Sequence, residues 1–314
     1  MNKLKNMSDN TIKNNPLLCN PESGICEMPD FSAEEFDATE VVAKVNPVKV
    51  IYFTDPICST CWGIEPQLRK LKLEYGSSVE IEYRMGGLLP DWSYNSGGIS
   101  KPSDVAHHWD EVSTYYDMPI DGDVWLEDPL DSSYPPSIAF KAAQLQDHEK
   151  AILFLRIIRE MVFMQKKNIT RWEHLATAAK NSGLDIEQLK SDFEGPAKTA
   201  FEADLKAARA YGVRGFPSLF FEGNNGEREF IYGAKPYTHY EMAVLKLYPD
   251  AIKTGYSKDW EALFGKYISL TAKEFTELSG VKRNVAEQLL NDLVLKGNLE
   301  KLTTKNGCIW RLKA

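Results

Sequence analysis

Long apolar runs are missing from this chain. Across 314 residues, no stretch approaches the roughly 18 apolar residues that cross a bilayer, which excludes a helical membrane span. The opening MNKLKNMSDNTIKNNP carries lysines with no apolar core behind them. That is not the pattern of a secretory signal, and a cytoplasmic protein with no membrane partner is expected. Positive charge is scarce too. The chain has 37 Lys and Arg against 45 Asp and Glu, a net charge of −8, which argues against bulk binding to nucleic acid or anionic lipid. Cysteine and histidine number only five each. A closed structural zinc site takes four ligands, and the adjacent His107 and His108 chelate poorly. No metal and no cofactor is expected.

What is present is a pair. Cys58 and Cys61 stand in FTDPICSTCW, directly after the apolar run Val48 to Phe53. The run reads as a buried strand and the cysteines as the opening of a helix. Strand, polar turn and two cysteines on one helical turn form the arrangement of a dithiol redox centre. A helix N-terminus carries unpaired N–H groups and partial positive charge, so a thiolate there is stabilised. Cys58 is expected to be the exposed nucleophile, its pKa drawn from about 8.5 toward the roughly 3.5–7.5 range of such pairs. Cys61 is then the resolving thiol. The plainer alternatives are a zinc half-site or inert thiols. Trp62 is open to two readings, groove wall or core. Asp55 and Glu65 read as proton relays or as solvated face residues.

Residues 1–45 read as an arm, disordered in its Asn- and Lys-rich first part. Within it, NPLLCNPESGICEMP places Cys19 and Cys26 on either side of a short loop. That spacing permits a small disulfide ring without requiring one. The pair is either a second redox couple relaying electrons or two ordinary thiols. Residues 46–250 alternate as an α/β unit. Val79 to Met85 alternate as a strand, ended by Gly86 and Gly87. Residues 88–136 read as loop-rich, punctuated by proline and glycine. Helical periodicity then runs from Ser137 to about Tyr211, with Tyr134, Pro135 and Pro136 at its start. PSLFFEG and REFIYG flank NNG as a hairpin, and a helix closes the unit at about Thr238 to Leu247. The economical account is a thioredoxin-like α/β sheet with an inserted helical subdomain at about 100–212. In GVRGFPSLFF, Pro217 opens a strand. In a thioredoxin-type site a cis proline there faces the CxxC pair, and the backbone of the preceding residue, Phe216, pairs with an extended peptide.

Four segments carry a family resemblance: FTDPICSTCW, RMGGL, DSSYPPSIAFKAAQLQ and GVRGFPSLFF. Over about residues 46–250 the chain resembles the cytoplasmic DsbA-like thioredoxin-fold proteins, especially the FrnE-like dithiol oxidoreductases. It also resembles the related adaptors that present a stress transcription factor to the ClpXP protease in Gram-positive bacteria. The resemblance implies a redox role for Cys58 and Cys61, the cis-proline role for Pro217, and a second redox pair, for which Cys19 and Cys26 are the candidates. Trp62 and Phe216 are the expected substrate contacts. The implied partners are protein or peptide thiols or, in the adaptor reading, a protein client and a protease. Related isomerases share the helical block but use a lone serine or similar residue where this chain keeps both cysteines. The leading expectation is a thiol-disulfide oxidoreductase; the alternative is a ClpXP adaptor.

Residues 258–314 change character. ALFGKYI, LTAKEFTELSG and VKRNVAEQLLNDLVLKG read as helices, and NLEKLTTKNGCIWRLKA as a two-stranded wing turning at KNG. Gly280 separates the last two helices as in a helix-turn-helix, so a small winged-helix-like domain is expected. Lys282, Arg283, Asn284 and Gln288 are the groove-facing candidates if such a helix enters DNA. Glu287 and Asp292 share that helix, so protein docking is the favoured role and DNA is not expected. Cys308, beside Ile309 and Trp310, reads as a core thiol.

Overall fold

A computed structural model describes residues 19–20 and 25–27 as backbone, and residues 47–93 and 100–313. Much of the N-terminal arm therefore lies outside the described residues. Two short strands come first, β1 (Cys19–Asn20) and β2 (Ile25–Glu27). Then follow β3 (Val48–Thr54), α1 (Ser59–Gly63), α2 (Glu65–Tyr75) and β4 (Val79–Met85). A helical block intervenes: α3 (Pro102–Tyr116), α4 (Val124–Glu127), α5 (Tyr134–Gln146), α6 (His148–Met164), α7 (Trp172–Asn181), α8 (Ile186–Glu194) and α9 (Pro196–Ala210). The chain returns to strands at β5 (Gly215–Phe216), β6 (Ser218–Gly223) and β7 (Arg228–Tyr232), and closes the unit with α10 (Tyr237–Leu247). The C-terminal module comprises α11 (Trp260–Lys266), β8 (Leu270–Thr271), α12 (Ala272–Ser279), α13 (Arg283–Leu295), β9 (Leu299–Thr304) and β10 (Gly307–Leu312).

The main sheet runs β4-β3-β6-β7. β3 is parallel to β4 and antiparallel to β6, and β6 and β7 form a hairpin. β3 is central and nearly all buried, which is why its sequence is a continuous apolar run rather than an alternating one. The hairpin turns at Gly226, whose φ of +81° favours glycine. The helices start on side-chain caps where the sequence provides them. Asp147 accepts from the Lys150 N–H and Asp185 from the Gln188 N–H.

The loop-rich stretch 88–136 departs from the sequence reading, carrying the short α4 and a longer helix before it. Within the stretch taken as loop, residues 102–116 form the fifteen-residue helix α3. Pro102 there is a helix opener, not a breaker, and Val105, Ala106, Trp109 and Val112 supply a buried stripe. This helix matters because it lies over the cysteine helix α1.

The C-terminal module is fused to the core. Its own sheet runs β8-β10-β9, and α12 opens with a reciprocal capping box between Thr271 and Glu274. Leu73 of α2 packs into the module's apolar cluster with Phe275, Leu278 and Trp310, while Ile309 enters the main core. Between them lies a buried charge cluster. Arg156 grips Glu274 with both terminal nitrogens at 2.7 and 3.0 Å and donates from Nε to Glu160 at 2.7 Å. Arg69 donates to the Ser269 carbonyl at 2.9 Å and lies 3.2 Å from Glu274. Burial pushes the Glu274 carboxyl up, but Arg156 and Arg69 more than offset this and hold it below its ordinary value. Cys308 is half-buried, at the rim of the module's apolar cluster rather than inside it.

Candidate functional site

Cys58 is the N-cap of α1, and its sulfur accepts the Cys61 N–H at 3.2 Å. The pair thus sits on one turn, at the C-terminal end of β3. Neither thiol reaches solvent; both are 0% exposed. This overturns the expectation of an exposed, ionised Cys58. Burial pushes the Cys58 thiol well above its ordinary value, and the neighbouring Cys61 adds to the rise. Burial also raises Cys61, but the hydrogen bond with Cys58, the charge of Arg159 and the Thr54 and Tyr52 hydroxyls outweigh it, leaving Cys61 lowered. Desolvation of a whole thiolate outweighs the dipole of a five-residue helix at Cys58, whereas the Arg159 guanidinium opposes it at Cys61.

That cation was not singled out from the sequence. Arg159 projects from α6 and is fully buried. It donates to Glu65 at 2.5 Å, to the Thr54 hydroxyl at 2.6 Å and to the Asp55 carbonyl at 3.2 Å. The signal was an arginine inside the apolar stretch LFLRIIREMVFM. A charge in such a setting is kept only when paired.

At the start of β6, where Ser218 pairs with Phe53 of β3, the Phe216–Pro217 peptide bond is cis. The Phe216 ring is buried against Gly86, where an added Cβ would meet Phe216 Cζ at 1.8 Å. Its side chain is therefore core, not groove wall, and only its backbone is presented. That backbone is already paired. β5 carries β2 antiparallel, with Cys26 opposite Phe216 and Glu27 opposite Gly215. On its other edge β2 pairs with β1, placing Cys19 opposite Cys26. Facing residues in such a ladder have Cα atoms about 4.5–5.5 Å apart, within the roughly 4.4–6.8 Å that a disulfide spans.

A family model described as Thioredoxin matches residues 52–242. The ClpXP adapter protein SpxH of Halalkalibacterium halodurans is 34% identical over 304 residues, covering 95% of this chain and 97% of the relative. The chain belongs to the thioredoxin family, on its SpxH branch. The SpxH of Bacillus subtilis is 29% identical over 271 residues, 85% of this chain and 89% of its own. Among solved structures, the cytosolic disulfide reductase DsbM from Pseudomonas aeruginosa superposes with a TM-score of 0.52 at 20% identity, covering 63% of this chain and 99% of DsbM. That likeness is one of fold.

In this SpxH-branch protein, Trp62 does not meet the role of substrate contact. It is fully buried, donates to the Pro119 carbonyl at 3.1 Å, stacks on Phe163 and lies under the Arg156 guanidinium. Asp55 is neither solvated nor free. It accepts from the Ile57 and Leu88 N–H groups and the Ser133 hydroxyl, and burial raises its pKa to about 6. Its bonds tie the β3–α1 turn to RMGGL and DSSYPP, two of the segments that carried the resemblance. Glu65 is committed to Arg159. Among the groove candidates of α13, Arg283 forks onto Asp117 at 2.7 and 3.0 Å. Among the described residues no group of three or more His, Cys, Asp or Glu is placed to hold a metal. No described helix is long and apolar enough to cross a membrane.

Proposed function

We propose that this chain is a ClpXP adapter that binds a protein client in the cytoplasm and hands it to the protease. The observation that carries this reading is the extent of the match: the adapter of H. halodurans aligns with 95% of the chain. The enclosed thiols and the fused C-terminal module support it, since a client-presenting surface needs a rigid platform more than an open nucleophile. We read residues 258–314 as a winged helix from the order helix, strand, helix, helix, strand, strand. Its role here is docking a protein rather than DNA. The test is degradation of a stress transcription factor by purified ClpXP. Adding this protein should speed degradation about tenfold, equivalent to roughly 1.4 kcal/mol of client affinity, and the Cys58→Ser, Cys61→Ser variant should keep most of that gain. No acceleration by the wild-type protein would sink the reading.

A second reading, dithiol exchange, is favoured by the cap geometry of Cys58. Once opened to solvent and relieved of the burial that raises its pKa, Cys58 would lose its proton and attack a substrate disulfide as the thiolate, releasing one substrate thiolate. Cys61 would then displace the other, leaving a Cys58–Cys61 disulfide and a substrate reduced by two electrons. Cys19 and Cys26 would serve as a second pair, exchanging with the first without an external oxidant. Insulin reduction abolished by Cys58→Ser supports this; activity intact in that variant removes it.

A further inference from the structure

The small sheet β1-β2-β5 stands apart from the main sheet. Its last strand is the Gly215–Phe216 backbone that leads into Pro217. An extended peptide adds to a free strand edge through main-chain hydrogen bonds, which are largely indifferent to side chains. Here that edge is taken by the chain itself.

We propose that β2 is a resident strand: residues 25–27 occupy the peptide-receiving edge at Gly215–Phe216, and an extended, cysteine-bearing client segment binds there only by displacing them. The client's identity rests on the proposed function; the displacement does not.

Three observations carry this. The register sets Cys26 opposite Phe216, the row an incoming cysteine would take beside the cap of α1. β2 runs beside α1, whose N-cap is Cys58. Cys58 and Cys61 are fully enclosed, so an occupant must leave before a partner sulfur can arrive. The hold is also of the right strength. A ladder of two or three residues is marginal by itself. As part of the same chain, however, the strand faces its edge at an effective concentration on the order of millimolar. It stays docked against loose peptides, yet yields to a client that brings a larger surface.

The test uses the full chain. In Glu27→Pro the proline removes the backbone N–H of the residue paired with Gly215 and crowds the strand. Alkylation of Cys58 by iodoacetamide, followed by peptide mass mapping, should be about tenfold faster than in wild type, a shift of roughly 1.4 kcal/mol in the closed population. A synthetic peptide of residues 19–27, added in excess, should slow it again. Glu27→Ala keeps the backbone N–H that Glu27→Pro removes and should leave the rate within about twofold, under 0.5 kcal/mol. Equal rates in wild type and Glu27→Pro would overturn the proposal. Hydrogen exchange on the wild-type protein covers the case in which the proline variant fails to fold. Amides of residues 25–27 should be protected, and unprotected amides would also overturn it. Neither measurement needs a client or a protease, so each stands or falls apart from the adapter reading.

Discussion

At the C-terminal end of the molecule, Glu274 disappears between two arginines of the core. At the N-terminal end, three residues of strand lie along two. Both segments rest on the same thioredoxin unit, but by opposite physics. The module is held by side chains: a bidentate ion pair, a second arginine, and apolar residues exchanged between two cores. Such a contact is specific to its partner and costly to half-undo, because a lone buried charge is left behind. β2 meets β5 backbone to backbone, a pairing that any extended segment can imitate. One end is built to stay and the other to be replaced. This difference also suits an adapter, which needs a fixed platform and an exchangeable site.

The comparison breaks first at Glu274. In Glu274→Ala, Arg156 and Arg69 lose their shared carboxylate in a site where Arg156 is 5% exposed. The expected loss is about 3–5 kcal/mol, read as a fall in thermal midpoint. A Glu274→Leu, Arg156→Met double variant removes both charges and should recover much of it. If the single variant unfolds at the wild-type temperature, the module is not locked by charge.

Much of this was legible in the sequence, and the parts that were not share a cause. The main strands, the hairpin at NNG and the cysteine helix could be read because each is set by local periodicity and turn chemistry. The enclosure of Cys58 could not. Elements from elsewhere in the chain pack beside α1: α3, out of a proline-rich stretch, and β2. Tyr116 of α3 would lie 2.7 Å from a Cβ added at Gly63, one turn along α1. Trp62, directly after the motif, reads equally as groove wall or core, and what decides for core is its indole partner Pro119, 57 positions away. Arg159 and Glu274 left local traces, a charge within an apolar helix and a T-x-x-E cap. Their partners are brought together only by the fold, with Arg156 and Glu274 118 positions apart.

A middle-sized effect is expected at Gly86. The Phe216 ring fills the space a Cβ would take, so Gly86→Ala must move either β4's exit or Phe216. Overpacking of this kind costs about 1–3 kcal/mol. Because Phe216 is the residue opposite Cys26, the shift should also loosen β2, and Cys58 alkylation should accelerate. Lost stability with unchanged alkylation would mean that the arm's ladder is independent of the packing beneath it.

The smallest effect sharpens the contrast most. Arg283, at the start of α13, reaches Asp117 of the core and Glu287 of its own helix, and both contacts lie in solvent. This resembles a second lock between module and core. Exposed pairs, however, contribute only about 0.2–1 kcal/mol and fade with salt. Arg283→Ala should therefore lower the thermal midpoint barely, and less still at high ionic strength, while Glu274→Ala remains damaging under both conditions. If the two variants proved equally harmful, burial would not be what separates a structural ion pair from an incidental one here. The permanence assigned to the C-terminal attachment would then rest on apolar packing alone.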